Sequence, residues 1–449
     1  MKELLDVEAC RKSIADAARS RYRGRVDIVS GVIVEAAGIP AAMGELCRID
    51  RGSAGPIEAE VVGFRGARTL LMPHGDVEGI APRQEVTALG RPFTIGVGQS
   101  LMGRIIDGFG RPVDGHGRLV DGRGRPGSAL ERRRVHADSP NPLERRPITA
   151  PLQTGVRAID GLATLGCGQR LGIFSGSGVG KSTLLGQIAR GTDAEVVVVG
   201  LIGERGREVR AFLDDVLGEE GLRRSVVVVA TSDRPPIERF TAPFTAVTLA
   251  EYFRDQGRDV LLVMDSITRF ATAAREIGLA AGEPPTVRGY PPSFFAVLPR
   301  LIERMGAGEV GSITGLITVL LDADDPNEPV ADSMRGLLDG HVFLARDLAQ
   351  RGHFPAIDVL GSLSRLMDAV TGKEHRELAQ RLRASLAVYR EGRDLVEIGA
   401  YRSGANPELD DAIALKPRID AFLRQEPQEL VDHEDTMAAL RAIFAGAGA

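Results

Sequence analysis

Residues 171–183, Leu-Gly-Ile-Phe-Ser-Gly-Ser-Gly-Val-Gly-Lys-Ser-Thr, have the types and the spacing to seat a polyphosphate. Glycines at 176, 178 and 180 let successive backbone N–H groups converge on one point, because no Cβ obstructs the unusual backbone angles. Lys181-Ser182-Thr183-Leu184-Leu185 then opens a helix, and its N-terminus adds a positive field at the same place. Lys181 has the reach for β- and γ-phosphates, and the Ser182 hydroxyl is of a kind that ligates Mg²⁺. The run Ser175, Gly176, Ser177, Gly178, Val179, Gly180, Lys181, Ser182 and Thr183 is therefore the expected nucleotide-binding loop. Its first position holds Ser175 where the strict P-loop pattern has glycine. That end lies away from the phosphate contacts, so little effect is expected.

Two carboxylates extend the chemistry. Val260-Leu261-Leu262-Val263-Met264-Asp265 is an apolar strand ending in an acid, 84 residues after Lys181. In P-loop enzymes a carboxylate so placed sits beside Mg²⁺, usually through a water. Gly203-Glu204-Arg205-Gly206-Arg207-Glu208 follows another apolar run, 195–200. A carboxylate at a strand's C-terminal end can face the γ-phosphate and polarise the attacking water, which makes Glu204 the general-base candidate. Spacing alone leaves a second description open, a helix-start glutamate that complements the helix dipole, and Glu208 suits it equally well.

The elements that must position these groups are legible in outline. At 449 residues the chain is too long for one compact core, and two or three domains are expected. An amphipathic segment, 1–22, precedes the first strand signal and suggests a docking helix for a partner. Residues 23–95 show short strands with Gly/Pro turns, as in a small closed β-barrel. With only Phe64 and Phe93 as aromatics there, a structural collar is expected rather than a single-strand nucleic-acid binder. Residues 96–146, rich in Gly, Pro and Arg, look like an ordered linker. The arginines at 132–134 are expected to form a solvated, salt-bridged face. Residues 147–370 alternate buried β-branched strands with helices, which points to an α/β, RecA-like core around a parallel sheet. Residues 371–449 read as a C-terminal helical bundle, with Leu378, Leu382 and Leu386 at i, i+4, i+8.

Bulk composition narrows the function. Net charge is −5 and the chain lacks Trp, so nothing in it favours nucleic acid or an anionic membrane. The three cysteines, Cys10, Cys47 and Cys167, form no metal-binding spacing and suit a reducing cytosol. No apolar run approaches membrane-spanning length, so any membrane association is expected through partners.

Taken together, SGSGVGKST, GERGREV, VLLVMDSITRFA, GEPPTVRGYPPSFFAVLPRLIERMG and DGHVFLARDLAQRGHFPAIDVLGSLSR resemble the type III protein-export ATPases. These comprise the flagellar export ATPase and its injectisome counterpart, kin to the catalytic subunit of rotary ATP synthases. PLQTGVRAIDGLATLGCGQRLGIF and VGQSLMGRIIDGFGRPVDG are similar to the same family, and the likeness runs from about residue 23 to 425. The resemblance implies ATP and Mg²⁺ as ligands and Glu204 as the catalytic glutamate. It implies Arg205 and Arg269 near the phosphates, and Arg365 as a finger reaching a neighbouring subunit's site. Phe354 matches a Tyr whose ring packs on adenine, and Phe keeps that stacking face. A homohexamer with sites at subunit interfaces is implied. So are a coiled-coil central stalk, a stator-like regulator meeting the N-terminal region, an export gate and chaperone–cargo complexes. The location implied is cytoplasmic, peripheral to an inner-membrane export apparatus. The loop Gly289-Tyr290-Pro291-Pro292-Ser293-Phe294-Phe295 looks like the family's channel-lining region, although adjacent aromatics also suit a core. The function expected is ATP hydrolysis that assists chaperone release and export of flagellar proteins. An injectisome ATPase and then a rotary ATP synthase catalytic subunit are the alternatives. Glu204 disfavours a silent structural subunit, which would carry Gln there.

Overall fold

The computed structural model describes residues 22–115, 130–322, 325 and 328–445. The expected helix at 1–22 lies outside the described residues, apart from Tyr22. Six antiparallel strands close a barrel: β1 (Arg23–Ser30), β2 (Ile33–Ala37), β3 (Glu45–Ile49), β4 (Ile57–Arg65), β5 (Arg68–Pro73) and β6 (Glu85–Pro92). Val34, Ala36, Cys47, Ile49, Val61, Leu71 and Val86 fill its interior. Phe64 is exposed and Phe93 is buried against Phe109 and His74.

The stretch after the barrel is built into the core. β7 (Thr94–Val97) pairs with β9 (Glu131–Arg134), and β8 (Ile105–Asp107) joins the edge of the main sheet. Arg104 grips Asp114 with two hydrogen bonds of 2.6 and 2.9 Å, which pins the turn after β8. Arg133 pairs with Glu131 and with Asp255 of the core.

The core opens with a two-stranded lead-in, β10 (Pro151–Leu152) and β11 (Leu165–Gly166). The strands that follow are β12 (Arg170–Ser175), β13 (Val196–Ile202), β14 (Ser225–Ala230) and β15 (Asp259–Asp265). After them come β16 (Gly306–Ala307), β17 (Ser312–Leu320), β18 (Gly340–Leu344) and β19 (Ile357–Ser364). The sheet order is β19-β18-β12-β17-β15-β13-β14-β8, with β16 paired to β17. All neighbours along this path are parallel except β18 and β19. Alternate residues of the β-branched strands serve two cores. Val196 and Val198 face the helix Pro236–Arg254, and Val197 and Val199 face the helix Lys181–Gly191. Burial on both faces is why these strands read as unbroken apolar runs.

Three helices end the described chain: Lys373–Glu397, Pro407–Leu423 and His433–Phe444. Leu382, Ile419, Phe422, Leu440 and Ile443 continue the core beneath the helix Lys181–Gly191. No helix among the described residues is long and apolar enough to cross a membrane.

Candidate active site

In an open parallel sheet the C-terminal strand ends gather at one edge, and ligands bind there. Here that edge carries the turns after β12, β13, β15, β17 and β18. β12 ends at Ser175, whose carbonyl accepts from Leu321 N at 2.9 Å. Gly178 and Gly180 have φ of +78° and +90°, the left-handed region that side chains disfavour. Gly176 keeps an ordinary φ. The helix Lys181–Gly191 starts directly on Gly180, so its first N–H groups and the loop amides face one space. Ser182 and Thr183 are exposed at that helix start, whereas Val179 is buried and anchors the loop. Ser175 is fully buried and its hydroxyl has no hydrogen-bond partner. It occupies the strand end rather than the phosphate space.

Three charged groups meet beside the loop. Lys181 Nζ hydrogen-bonds Asp265 Oδ1, and it lies 3.8 Å from Glu204 Oε1. Asp265 ends β15 and is 2% exposed. Its Oδ1 also accepts from the Thr318 hydroxyl at 2.7 Å. Glu204 stands just beyond β13, after Gly203 with φ +69°. Burial pushes the Glu204 carboxyl up to about 7; Asp265's charge adds to the rise and Lys181 opposes it. Its Oε1 is buried without a hydrogen-bond partner. The hydrogen bond from Glu204 holds Glu208 below the usual carboxylate range.

The other residues singled out in the sequence take up distinct places. Arg205 is exposed and reaches Glu208 at 3.5 Å. Arg269 sits in the first turn of the helix Ile267–Ala281, and its methylenes cover Gly203 so closely that a Cβ there would meet Arg269 Cβ at 2.6 Å. Phe354, 42% exposed, lies over the loop, with its ring 3.5 Å from where a Gly180 Cβ would be. Arg365 is at the opposite edge. β19 runs antiparallel to β18, pairing Ile357 with Leu344 and Ser364 with Gly340. The chain therefore passes Phe354 beside the loop, crosses the sheet, and leaves Arg365 at the far side. Phe294 is core, packed on Tyr290 and Phe270, and Phe295 is half-buried.

Sequence reasoning missed several contacts. Thr318 is one, and the lone hydroxyls in the apolar run of β17 were its only signal. Arg346, just past β18, donates to Ser177 O at 3.2 Å. Gln425, past the helix Pro407–Leu423, donates from its backbone to Phe354 O at 2.9 Å and from its side chain to Gly155 O at 2.7 Å. The C-terminal region thereby braces the Phe354 ring.

The residues present fit Mg²⁺. Asp265 and the Ser182 hydroxyl are hard oxygen donors flanking the phosphate space. No cluster of three or more His, Cys, Asp or Glu able to hold a metal exists among the described residues. That suits an ion bound largely through substrate phosphates.

The loop, the lysine and two strand-end carboxylates are those of a P-loop nucleoside triphosphatase, set between a β-barrel and a helical domain. Residues 155–364 match the ATP synthase alpha/beta family, nucleotide-binding domain, and residues 27–90 match that family's beta-barrel domain. Residues 371–442 match the T3SS EscN ATPase C-terminal domain. The flagellum-specific ATP synthase of Treponema pallidum is 50% identical over 434 residues, 96% of this chain and 95% of that one. The SPI-2 type 3 secretion system ATPase of Salmonella typhimurium is 50% identical over 426 residues, 94% of each chain. The assembled ATPase EscN of the enteropathogenic E. coli type III secretion system is 44% identical, with a TM-score of 0.87 over 94% of this chain and 99% of that chain. EscN in complex with its central stalk EscO gives 0.85 over the same shares. The chain belongs to the ATP synthase alpha/beta family and, within it, to the ATPases of type III protein export. It is an ATPase.

Proposed function

We propose that this ATPase works as a homohexameric ring at a flagellar export apparatus, with each active site completed by the neighbouring subunit. The observation that carries this reading is the split of the site residues across the sheet. Lys181, Glu204 and Asp265 gather at one edge, and Arg365 stands at the other. An arginine so placed is out of reach of its own loop and suits the next subunit's.

The loop amides and Lys181 hold the triphosphate, and the Phe354 ring takes the adenine. Ser182 and Asp265 are the residues to hold Mg²⁺, which when bound neutralises phosphate charge. Glu204 orients the attacking water and accepts its proton at the carboxylate, and the displaced group is ADP. Arg205 and Arg269 bring positive charge to the γ-phosphate side. Arg365 of the next subunit answers the charge that develops there. The assembled EscN–EscO complex supports a central stalk as a partner, which this reading takes to be a coiled coil. The segment 1–22 is assigned to a stator-like regulator, and chaperone–cargo complexes and an export gate are the remaining partners. Membrane contact is made through them, from the cytoplasmic side.

The equal identity to a SPI-2 ATPase favours a second reading, an injectisome ATPase. A gentle affinity pull-down with mass spectrometry separates the two. Flagellar rod, hook or filament subunits with their chaperones establish the first reading, and needle and effector proteins establish the second. Co-purification of ATP-synthase subunits overturns both.

A further inference from the structure

Thr318 sits on β17, the strand between the P-loop strand β12 and the Asp265 strand β15. Its Cα is level with Ile173 of β12, and Met264 is level with the preceding residue, Ile317. The side chain is fully buried in an otherwise aliphatic stretch. A hydroxyl there needs a partner, since burying one unpaired is costly. It has two neighbours, Asp265 Oδ1 at 2.7 Å and Met264 O at 3.2 Å. One O–H gives one hydrogen, and the carboxylate is both nearer and charged, so the hydrogen goes to Asp265.

Asp265 Oδ1 therefore has two donors, Lys181 and Thr318. They differ in what nucleotide does to them. Lys181 must leave Asp265 for the phosphates when nucleotide enters. Thr318, on a central strand, cannot leave. We infer that Thr318 is a positioning residue, the fixed donor that holds the Asp265 carboxylate plane while Lys181 departs, so that Oδ2 stays turned toward the metal. This rests on the reading of Asp265 as the metal-side carboxylate.

The role is one of orientation, so its mark is the metal dependence of nucleotide binding. Thr318→Val keeps the shape and removes the hydrogen bond, and Thr318→Ser restores it. The full-length protein is titrated with MgCl₂ while binding of a fluorescent ADP analogue is followed, and again in EDTA. For Thr318→Val the Mg²⁺ needed for half-maximal tightening rises about tenfold, as for loss of one charge-assisted hydrogen bond. Affinity in EDTA stays within about twofold, the melting temperature is kept, and Thr318→Ser returns to the parent curve. Thr318→Ala gives the same readout if Val perturbs folding. A parent-like Mg²⁺ titration for both Val and Ala overturns the inference. Asp265→Asn tells which part fails. If it shifts the titration while the Thr318 variants do not, only the positioning role falls. If it leaves the titration unchanged, the metal-side assignment falls and the inference with it.

Discussion

Lys181 pairs with Asp265, and Glu204 stands 3.8 Å from Lys181 without a hydrogen bond to it. A triphosphate that draws Lys181 to itself exchanges one ion pair for another. Lys181→Ala should abolish nucleotide binding and turnover together. Glu204→Gln should abolish turnover while ATP is still bound, as measured by single-turnover hydrolysis and nucleotide affinity. Near-normal turnover in Glu204→Gln would remove it from the role of base. The pH dependence carries a sign. Burial raises the Glu204 carboxyl to about 7, and a general base acts only when ionised. kcat/KM should therefore be low below pH 7, rise through about 7 and level off above it. Any residual rate of Glu204→Gln should lack that limb. The loop, Lys181, Asp265 and Glu204 were legible as motifs, because each needs only a residue type at the end of a strand. Thr318 and Arg346 were not. Their partners are distant in sequence, and only the order of strands in the sheet brings them close.

The P-loop helix Lys181–Gly191 is held by close packing as well as by its start. A Cβ on Gly186 would come within 1.8 Å of Val216, on the facing π-helical turn Phe212–Leu217. Gly186→Ala should therefore lower stability by about 1–3 kcal/mol, the usual cost of overpacking, read by chemical denaturation. Gly180→Ala acts differently. Its φ of +90° costs any side chain of order 1–2 kcal/mol, so the loop relaxes and nucleotide affinity falls before global stability does. Comparing the binding constant with the melting temperature separates the two effects. Strand positions were readable because runs such as 225–230 and 312–320 are apolar on both faces. The π-helical turn was not. No residue type in 206–217 marks the passage from the α-helix Gly206–Ala211 into that turn at Phe212. The helix that follows β14 begins at Pro236, where proline at the first turn is compatible with a helix start.

Across subunits, the proposed completion of each site by a neighbour's Arg365 would make activity a property of the assembly. Hydrolysis per subunit should rise with protein concentration over the range in which rings form, followed by light scattering alongside phosphate release. Arg365→Ala should bind ATP normally and hydrolyse it slowly. Mixing Arg365→Ala with Lys181→Ala should recover part of the rate, because a Lys181→Ala subunit still offers its arginine to a neighbour with an intact loop. Absence of recovery in mixed rings argues against completion by the neighbour. A local reading of GSLSR gives an arginine at a strand end and nothing more. The reversal of β19 against β18 decides which edge that end lies on, and no short stretch of sequence encodes it.

That reversal also makes β19 a spacer of fixed length. Phe354 precedes it and Arg365 follows it, and its eight residues cover the height of only five on β18, roughly 13 Å, because a register shift sets Asp358 and Leu363 against Phe343 and His341. Surface loops around the ring are free to gain or lose residues between relatives. The paired ends of this strand are not, because a residue lost from either would turn the side chains beyond it to the other face. On the proposed roles, the gauge between one subunit's adenine platform and its reach to the next subunit's phosphate is thus set by the height of β18. Among homologues, insertions and deletions should be absent here even where the rest of the chain varies in length.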